Sequence, residues 1–400
     1  MKILLVSQYF YPENFKINDL IFSLKERGHE ITVLTGKPNY PNGNFFDGYS
    51  WNSPDLEIIN DIPVFRANLF PRGKGGAIRL FLNYISFAIL SLIKIRKIKG
   101  PFDIIFVYQT SPVTVGIPAV FAKKLFKAPI YFWVQDLWPE SLKAAGGVKN
   151  LFVLSFFNSL TKWIYNNSRK VLIQSNGFRE YILNQGIPND KIIFYPNLTE
   201  SLYKPLKEVK EYQEFFQNEF FNIVFAGNIG EAQSFKTIIE AINNIKELPI
   251  KVIVIGEGRY KKTALNLIKE KGLESHFNFI GSFPPTEMPK FFFHADALLV
   301  SLKKNKIFSL TIPAKIQSYL ACGKPVIASL NGVGAKIIID ANCGVVSPAE
   351  NILVLSEKTK ELMNLDKSKL HEMGINSRAY YEKEFDRNSL LEKLEIILKS

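Results

Sequence analysis

The sequence predicts an α/β protein built from two doubly wound, parallel-sheet domains that face a central cleft. Three observations carry that expectation. Apolar runs of strand length alternate with amphipathic runs of helix length along almost the whole chain. The alternation restarts after a polar stretch near the middle. The 400 residues exceed one ordinary core and suit two domains of about 150–200 residues each.

The elements follow in order. "KILLVS" is a near-continuous apolar run, as a parallel strand buried on both faces requires. The loop "QYFYPENFK" leads into an amphipathic helix around "INDLIFSLKERG", ended by Gly28. The strands "HEITVLTG", "FDIIFVYQ", "PIYFWVQD", "KVLIQS" and "KIIFYP" continue the series. After "LKEVKEYQEFFQN" the rhythm restarts with strand "FNIVFAGN", helix "FKTIIEAINNI", strand "IKVIVIGEG", helix "KKTALNLIKEKG" and strand "FNFIGS". A short helix "PPTEMPKFFFHA", strand "DALLVSL", helix "AKIQSYLACG" and strands "PVIASL" and "CGVVSP" complete it. The first domain is expected at residues 1–200 and the second at 201–376. An amphipathic helix over 377–400 could cross back to the first domain. Ligands of such sheets bind beyond the carboxyl ends of the strands.

Composition narrows the function classes. The apolar fraction of 47% is globular, and no low-complexity or repeating segment occurs. Met1-Lys2 before "ILLV" is too short and too lightly charged for a signal peptide, and no 18-residue stretch is free of polar interruption. Cys322 and Cys343 suggest no disulfide framework and fit a reducing compartment. The expected location is therefore the cytoplasm, peripheral on the inner face of the cell membrane. Residues 1–200 hold 23 Lys and Arg against 14 Asp and Glu, so the basic surplus is concentrated there. A basic half suits nucleic acid, an anionic membrane or a phosphorylated substrate. No zinc finger, RNP strand or arginine-rich arm supports nucleic acid.

Several catalytic classes have no support. No Asp-x-Asp occurs, and His29, His276, His294 and His371 show no ligand spacing. There is no G-x-S-x-G elbow, no Walker loop and no G-x-G-x-x-G after the first strand. Two features of the second half are oriented toward phosphate instead. "AGNIGEAQ" sets Gly227, Asn228 and Gly230 between strand and helix, where glycines let backbone N–H groups approach an anion; a simple tight connection would look the same. "SLTIPAKIQSYLACGKP" puts Pro313 at a helix start, with the N–H groups of Ala314 and Lys315 free for a diphosphate. Lys315, with Lys303 and Lys304, could neutralise it.

The first half offers "QYFYPENFKIND", whose rings and polar groups Glu13, Asn14, Lys16 and Asn18 suit a sugar. Packing under the sheet claims some of Tyr9, Phe10 and Tyr11. Residues 79–100, apolar and ending in Lys94, Arg96, Lys97 and Lys99, fit either an anionic membrane surface or a buried helix with a basic end. In "VQDLWPES", Asp136 ends a buried strand, where a carboxylate could orient or deprotonate a hydroxyl. Glu140 is a candidate second carboxylate, whereas Trp133 and Trp138 are expected to pack.

Together "QYFYPENFKINDL", "RGHEITVLTGKPNYPNG", "QDLWPES", "AGNIGEAQ" and "TIPAKIQSYLACGKPVIAS" resemble glycosyltransferase family 4 over nearly the whole chain. Within it they are similar to the surface-polysaccharide subgroup that includes L-fucosamine (N-acetylfucosamine) transferases. The resemblance implies the GT-B fold, two Rossmann-like domains with acceptor on the first and nucleotide-sugar donor on the second. It implies metal-independent and generally retaining transfer, with no cofactor beyond the nucleotide-sugar substrate. The implied donor set is Gly227, Asn228, Gly230, Gly256, Phe283 (backbone, at the base), Lys303, Pro313, Ala314, Lys315 and Ser318. The implied acceptor set is Tyr11, Glu13, Asn14, Phe15, Lys16 and Asn18, with Asp136 and Glu140 catalytic. The chain departs from the family pattern at Leu310 and Ser318, where many members carry two glutamates, at Asn228, an arginine elsewhere, and at Gln135-Asp136, elsewhere His-Asp.

The reading that follows is transfer of a hexose or N-acetylhexosamine from a nucleotide diphosphate, by default UDP, to a polyprenyl-diphosphate-linked saccharide. That product would serve O-antigen, capsule or exopolysaccharide synthesis at the inner membrane surface. A sugar-nucleotide epimerase on the same fold and a non-catalytic assembly partner are the alternatives, the latter motivated by the missing glutamates.

Overall fold

Residues 1–142 and 150–400 are described by the computed structural model, and their strands pair into two sheets. The first sheet contains β1 (Lys2–Ser7), β2 (Glu30–Gly36), β3 (Leu56–Ile59), β4 (Ile62–Ala67), β5 (Ile104–Gln109), β6 (Ile130–Val134), β7 (Lys170–Ile173) and β8 (Ile192–Phe194). Its spatial order is β3-β4-β2-β1-β5-β6-β7-β8. The second contains β9 (Phe221–Ala226), β10 (Ile250–Ile255), β11 (Phe277–Gly281), β12 (Ala297–Ser301), β13 (Val326–Ser329) and β14 (Gly344–Ser347), in the order β11-β10-β9-β12-β13-β14. Every pairing is parallel except β3 with β4. The strand order reverses beside β1 in one sheet and beside β9 in the other, which defines a switch point in each.

The strand sequences explain the parallel pairing. Ile3, Leu4, Leu5 and Val6 of β1 are fully buried, as are Ile105, Phe106 and Val107 of β5, because helices cover both faces of the sheet. In the second sheet Ile223, Phe225, Val252 and Val254 pack with Phe235, Ile238 and Ile239 of the helix Phe235–Asn243.

The chain divides into two compact units, Met1–Asn197 with Leu390–Ser400, and Leu198–Ser389. The expected single helix over 377–400 is two, Lys367–Glu384 and Arg387–Lys399. Asp386 makes the break, since its carboxylate accepts hydrogen bonds from the N–H and hydroxyl of Ser389 at 2.9 and 2.8 Å and starts a new helix. That helix rejoins the first unit, where Glu395 meets Arg27 at 3.0 Å and His29 at 2.8 Å. The hydrogen bond from Arg27 holds the Glu395 carboxyl down at about 2.

A second departure is the β3–β4 hairpin, a segment the sequence reading passes over. Its turn residues Asn60 and Asp61 have positive φ of 47° and 58°, as a tight two-residue hairpin turn requires. Asn and Asp tolerate that region, so the turn is chemically ordinary.

Leu394 is fully buried in the returning helix. Leu394→Ala is expected to cost about 2–5 kcal/mol, measured by urea unfolding followed at the tryptophans. A cost within about 0.5 kcal/mol, as at an exposed site, would contradict the packing of this helix.

Candidate functional site

In the second unit the site grows from the ends of β9, β10 and β12. Gly227 follows β9 with φ of 132°, and Gly256 follows β10 with φ of 140°. A Cβ on Gly256 would lie 2.0 Å from the Gly227 carbonyl oxygen, so the two loops are pressed together at backbone distance. A Cβ on Gly227 would lie 2.7 Å from Cε of Lys315. The Lys315 ammonium sits 3.6 Å from the centroid of the Phe225 ring, and burial pushes it down to about 7.

Lys315 belongs to the helix Ala314–Ala321, capped by Pro313. The N–H groups of Ala314 and Lys315 have no acceptor within their own helix, so dipole and side chain present positive charge at one place. The ring beneath the ammonium is a partial substitute for an anion, worth about 0.5–2 kcal/mol. A true counter-anion would therefore be gained, not exchanged.

The other expected donor residues divide. Gly230 donates its N–H to Gln233 Oε1 at 3.2 Å, with the Asn228 amide packed against it. Gly256 donates to the Gly281 carbonyl at 2.7 Å, which brings the β11 end and the following Phe283 into the same loop cluster. Phe283 packs on Phe291 at 4.8 Å and Tyr212 at 5.4 Å. Two expectations need correction. Lys303 is not a free cation, because it pairs with Glu231 at 2.6 Å. Ser318 is buried and turns its hydroxyl toward the Ala314 carbonyl at 3.4 Å, because a short side chain inside a helix reaches its own backbone first. A pocket lined by Gly230, Glu231, Lys303, Tyr260 and Glu350 opens beside this loop.

In the first unit Asp136 follows β6. Its carboxylate accepts from the hydroxyls of Ser141 and Ser111 and from the Leu137 N–H, and its carbonyl accepts from Gln109 Nε2 at 3.1 Å. Burial pushes the carboxyl up to about 6 against those hydrogen bonds. Glu140 accepts from the Tyr181 hydroxyl at 3.4 Å. Trp133 and Trp138 are buried, Trp133 donating to the Tyr195 carbonyl and Trp138 packing between Tyr84 and Phe157.

The acceptor loop differs more from expectation. Glu13 is only 1% exposed and braces the next loop, accepting from the N–H groups of Asn39 and Tyr40 at 2.8 Å each. Burial pushes it up to about 7. Asn18 accepts from the Tyr11 N–H at 3.0 Å and donates to the Glu13 carbonyl at 2.7 Å, closing the loop internally. Both side chains therefore face inward, because a loop this tight must satisfy its backbone groups locally. Tyr11 and Asn14 are exposed, Lys16 is half-buried, and Phe15 stacks on Tyr9 at 4.8 Å.

Sequence reasoning missed Arg72, whose guanidinium lies 5.0 Å from the Tyr40 ring and donates to the Tyr9 hydroxyl at 3.2 Å. It also missed a row of glutamines. Gln8, Gln109, Gln135 and Gln174 end the adjacent strands β1, β5, β6 and β7. Each keeps a buried amide atom without a partner, namely Gln8 Oε1, Gln109 Oε1, Gln135 Nε2 and Gln174 Oε1. An unmet buried polar atom costs about 1–3 kcal/mol, so this edge is poised for hydroxyl groups. The signal was legible as "VSQ", "VYQ", "WVQ" and "LIQ". Among the described residues no three His, Cys, Asp or Glu side chains gather to hold a metal.

Known proteins match this arrangement. Residues 16–197 match the glycosyl transferase 4-like domain, and residues 207–380 match glycosyl transferases group 1. WcaI of Escherichia coli, named for colanic acid biosynthesis, is 24% identical over 340 residues, 81% of this chain and 82% of that one. A Bacillus pumilus transferase named for moving N-acetylglucosamine to a pyrophosphoryl-undecaprenol acceptor is 26% identical over 197 residues, 48% of this chain and 47% of that one. The crystal structure of Anabaena HepE with UDP and glucose superposes with a TM-score of 0.72 at 15% identity, covering all of both chains. The fold is the GT-B fold of these glycosyltransferases, with two Rossmann-like domains.

Glu13 and Asp136 hold their protons more tightly folded than unfolded. Their contribution to stability is full below the ordinary carboxylate range and is lost as pH rises through about 6 to 7. Glu13→Gln is expected to flatten the fall in melting temperature between about pH 4.5 and 7.5. A variant curve parallel to wild type would contradict the buried, strained state of this carboxyl.

Proposed function

On the premise that this chain is a GT-B glycosyltransferase, with a 4-like domain before a group 1 domain, we propose that it glycosylates a lipid-linked saccharide. The sugar is a hexose or N-acetylhexosamine, an N-acetylfucosamine-type sugar being the first to try, and the donor is its UDP diphosphate. The observation that carries the reading is Lys315, a desolvated cation against Gly227 at a helix N-terminus. Such a group fits an anion, and a diphosphate is the anion that a nucleotide-sugar donor brings. The lipid-linked acceptor and the role in surface polysaccharide are supported by what the two relatives are named for, and with such an acceptor we infer that the reaction lies at the inner membrane surface.

The transfer breaks the bond between the sugar's anomeric carbon and the diphosphate oxygen and forms one to an acceptor oxygen. UDP departs with the electron pair, and Lys315 with the first-turn N–H groups of Ala314 and Lys315 stabilises the charge that develops there. Asp136, ionised above about pH 6, orients the attacking hydroxyl. In a front-side, retaining reaction the leaving diphosphate takes the hydroxyl proton, and Asp136 positions more than it abstracts. The glutamine edge and the exposed Tyr11 and Asn14 receive the acceptor saccharide. The diphosphate is assigned to these groups without a metal ion.

Transfer is measured as radiolabel moving from UDP-sugars to a polyprenyl-diphosphate-linked saccharide. Asp136→Asn is expected to lower kcat about 10²–10⁴-fold while the thermal shift caused by UDP is unchanged. The wild-type rate is expected to rise with pH through about 6 as Asp136 ionises, and the variant to lose that limb. A wild-type rate in the variant, or conversion of the nucleotide-sugar with no lipid product, would overturn the assignment.

Lys315→Met is expected to abolish most of the UDP thermal shift. A saturating ligand at about a hundred times its Kd is worth about 2.7 kcal/mol to the native state, so the loss is readily seen. An unchanged shift would place the diphosphate elsewhere.

A further inference from the structure

The helix Ala77–Lys94 is built inside out. Its exposed line holds Ile78, 78% exposed, with Phe81, Leu82, Ile89 and Ile93. Its buried side holds Asn83, Ser86, Ser91 and Lys94 beside Phe87 and Ala88. A helix that met water outside and a core inside would carry the reverse pattern. The inversion is fixed by bonding. Asn83 donates to the Phe70 carbonyl at 2.7 Å and accepts from Gln8 at 2.8 Å, and Lys94 pairs with Asp55. Rotation to hide the apolar line would strand all of these.

A second helix of the same unit repeats the exposure. In Leu151–Asn167, Phe152 is 88% exposed and Phe156 62%, with Leu151 and Trp163 also open. Spacings of four and seven residues set Phe152, Phe156 and Trp163 on one face. The two helices flank Gly116–Phe126, and both reach the buried Trp138, through Tyr84 and Phe157. None of the three helices contains an Asp or Glu. Their exposed charges, Arg79, Lys124 and Lys162, are all positive, and Lys97 and Lys127 lie just beyond helix ends.

We propose that this acid-free helical layer docks on an anionic phospholipid bilayer. The exposed apolar side chains of Ala77–Lys94 and Leu151–Asn167 enter the acyl boundary, and the cations lie at phosphate level. The stretch Ile78–Lys97 is long and apolar enough to cross a membrane, yet a third of it is buried in the protein. It therefore lies on the bilayer. Charge decides the occupant, since every exposed charge on the three helices is a cation, with Asp55 held by Lys94 and Lys97 at one end, and such a surface complements anionic lipid. The inference specifies the membrane of the function proposed above, but its support does not depend on the transfer chemistry.

Flotation of the full chain with vesicles tests it, using phosphatidylcholine alone and with about a third phosphatidylglycerol. Wild type is expected to float with the anionic vesicles and far less with the neutral ones. The pairs Phe81→Ser with Ile89→Ser, and Phe152→Ser with Phe156→Ser, are each expected to reduce partitioning at least about tenfold. Lys124→Glu with Lys127→Glu is expected to reduce it on anionic vesicles alone, by about tenfold or more. The UDP thermal shift of each variant, expected to equal wild type, reports that the chain still folds. Wild type that stays with the lipid-free fraction, or flotation indifferent to both apolar pairs, would overturn the proposal. So would a dimer that the apolar pairs convert to monomer without affecting flotation. Flotation without sugar transfer would leave the docking surface standing and sink the function; transfer without flotation would do the opposite.

Discussion

Parallel pairing is the constraint on which the rest depends. A parallel strand delivers its carboxyl end to the same edge as its neighbours, so every loop that follows a strand opens at one edge of the sheet. In the second sheet this brings Gly227, Gly256 and Lys303 together from three strands that are separated by helices in sequence. In the first it lines up Gln8, Gln109, Gln135 and Gln174. The antiparallel strand β3 lies at the far edge and contributes nothing to that row.

The edge then differs between the two units in chemistry. The second unit gathers positive charge without a matched anion, as Lys315 over Phe225 shows. The first gathers amides, the Asp136 carboxyl with its hydroxyl partners, and the buried Glu13 carboxyl held by backbone N–H groups. Both arrangements tolerate a cost in the empty state, since a desolvated ammonium and unmet amides are worse off than in water. Each cost is recovered when a complementary group arrives, which is how a fold can be stable and still select a ligand. The helix Ala77–Lys94 follows the same logic on the outside, where apolar side chains face out because their polar neighbours are held in.

How far this was legible in the sequence depends on whether a residue's role is set locally. The alternation of apolar runs and helices gave both sheets, and Gly227 of "AGNIGEAQ" stands at the switch point with a positive φ, where a side chain would also meet Lys315. Trp133 and Trp138 pack as their apolar surroundings imply. What stayed hidden depends on long-range contacts. Glu13 turns inward because Asn39 and Tyr40 come from another loop. Lys303 is matched by Glu231, 72 positions away. Arg72 was invisible because its aromatic partners Tyr9 and Tyr40 lie far off in the chain. The β3–β4 hairpin was missed because its alternating pattern is short and half exposed.

The central claim is that Lys315 is an uncompensated cation awaiting a diphosphate. Calorimetry of UDP binding at about pH 8, in buffers of different ionisation enthalpy, tests it most directly. The UDP phosphate is already ionised there, while Lys315, held near 7, is largely neutral. Binding is expected to take up a large fraction of one proton, an uptake absent in Lys315→Met. Binding with no proton uptake in the wild-type chain would contradict it.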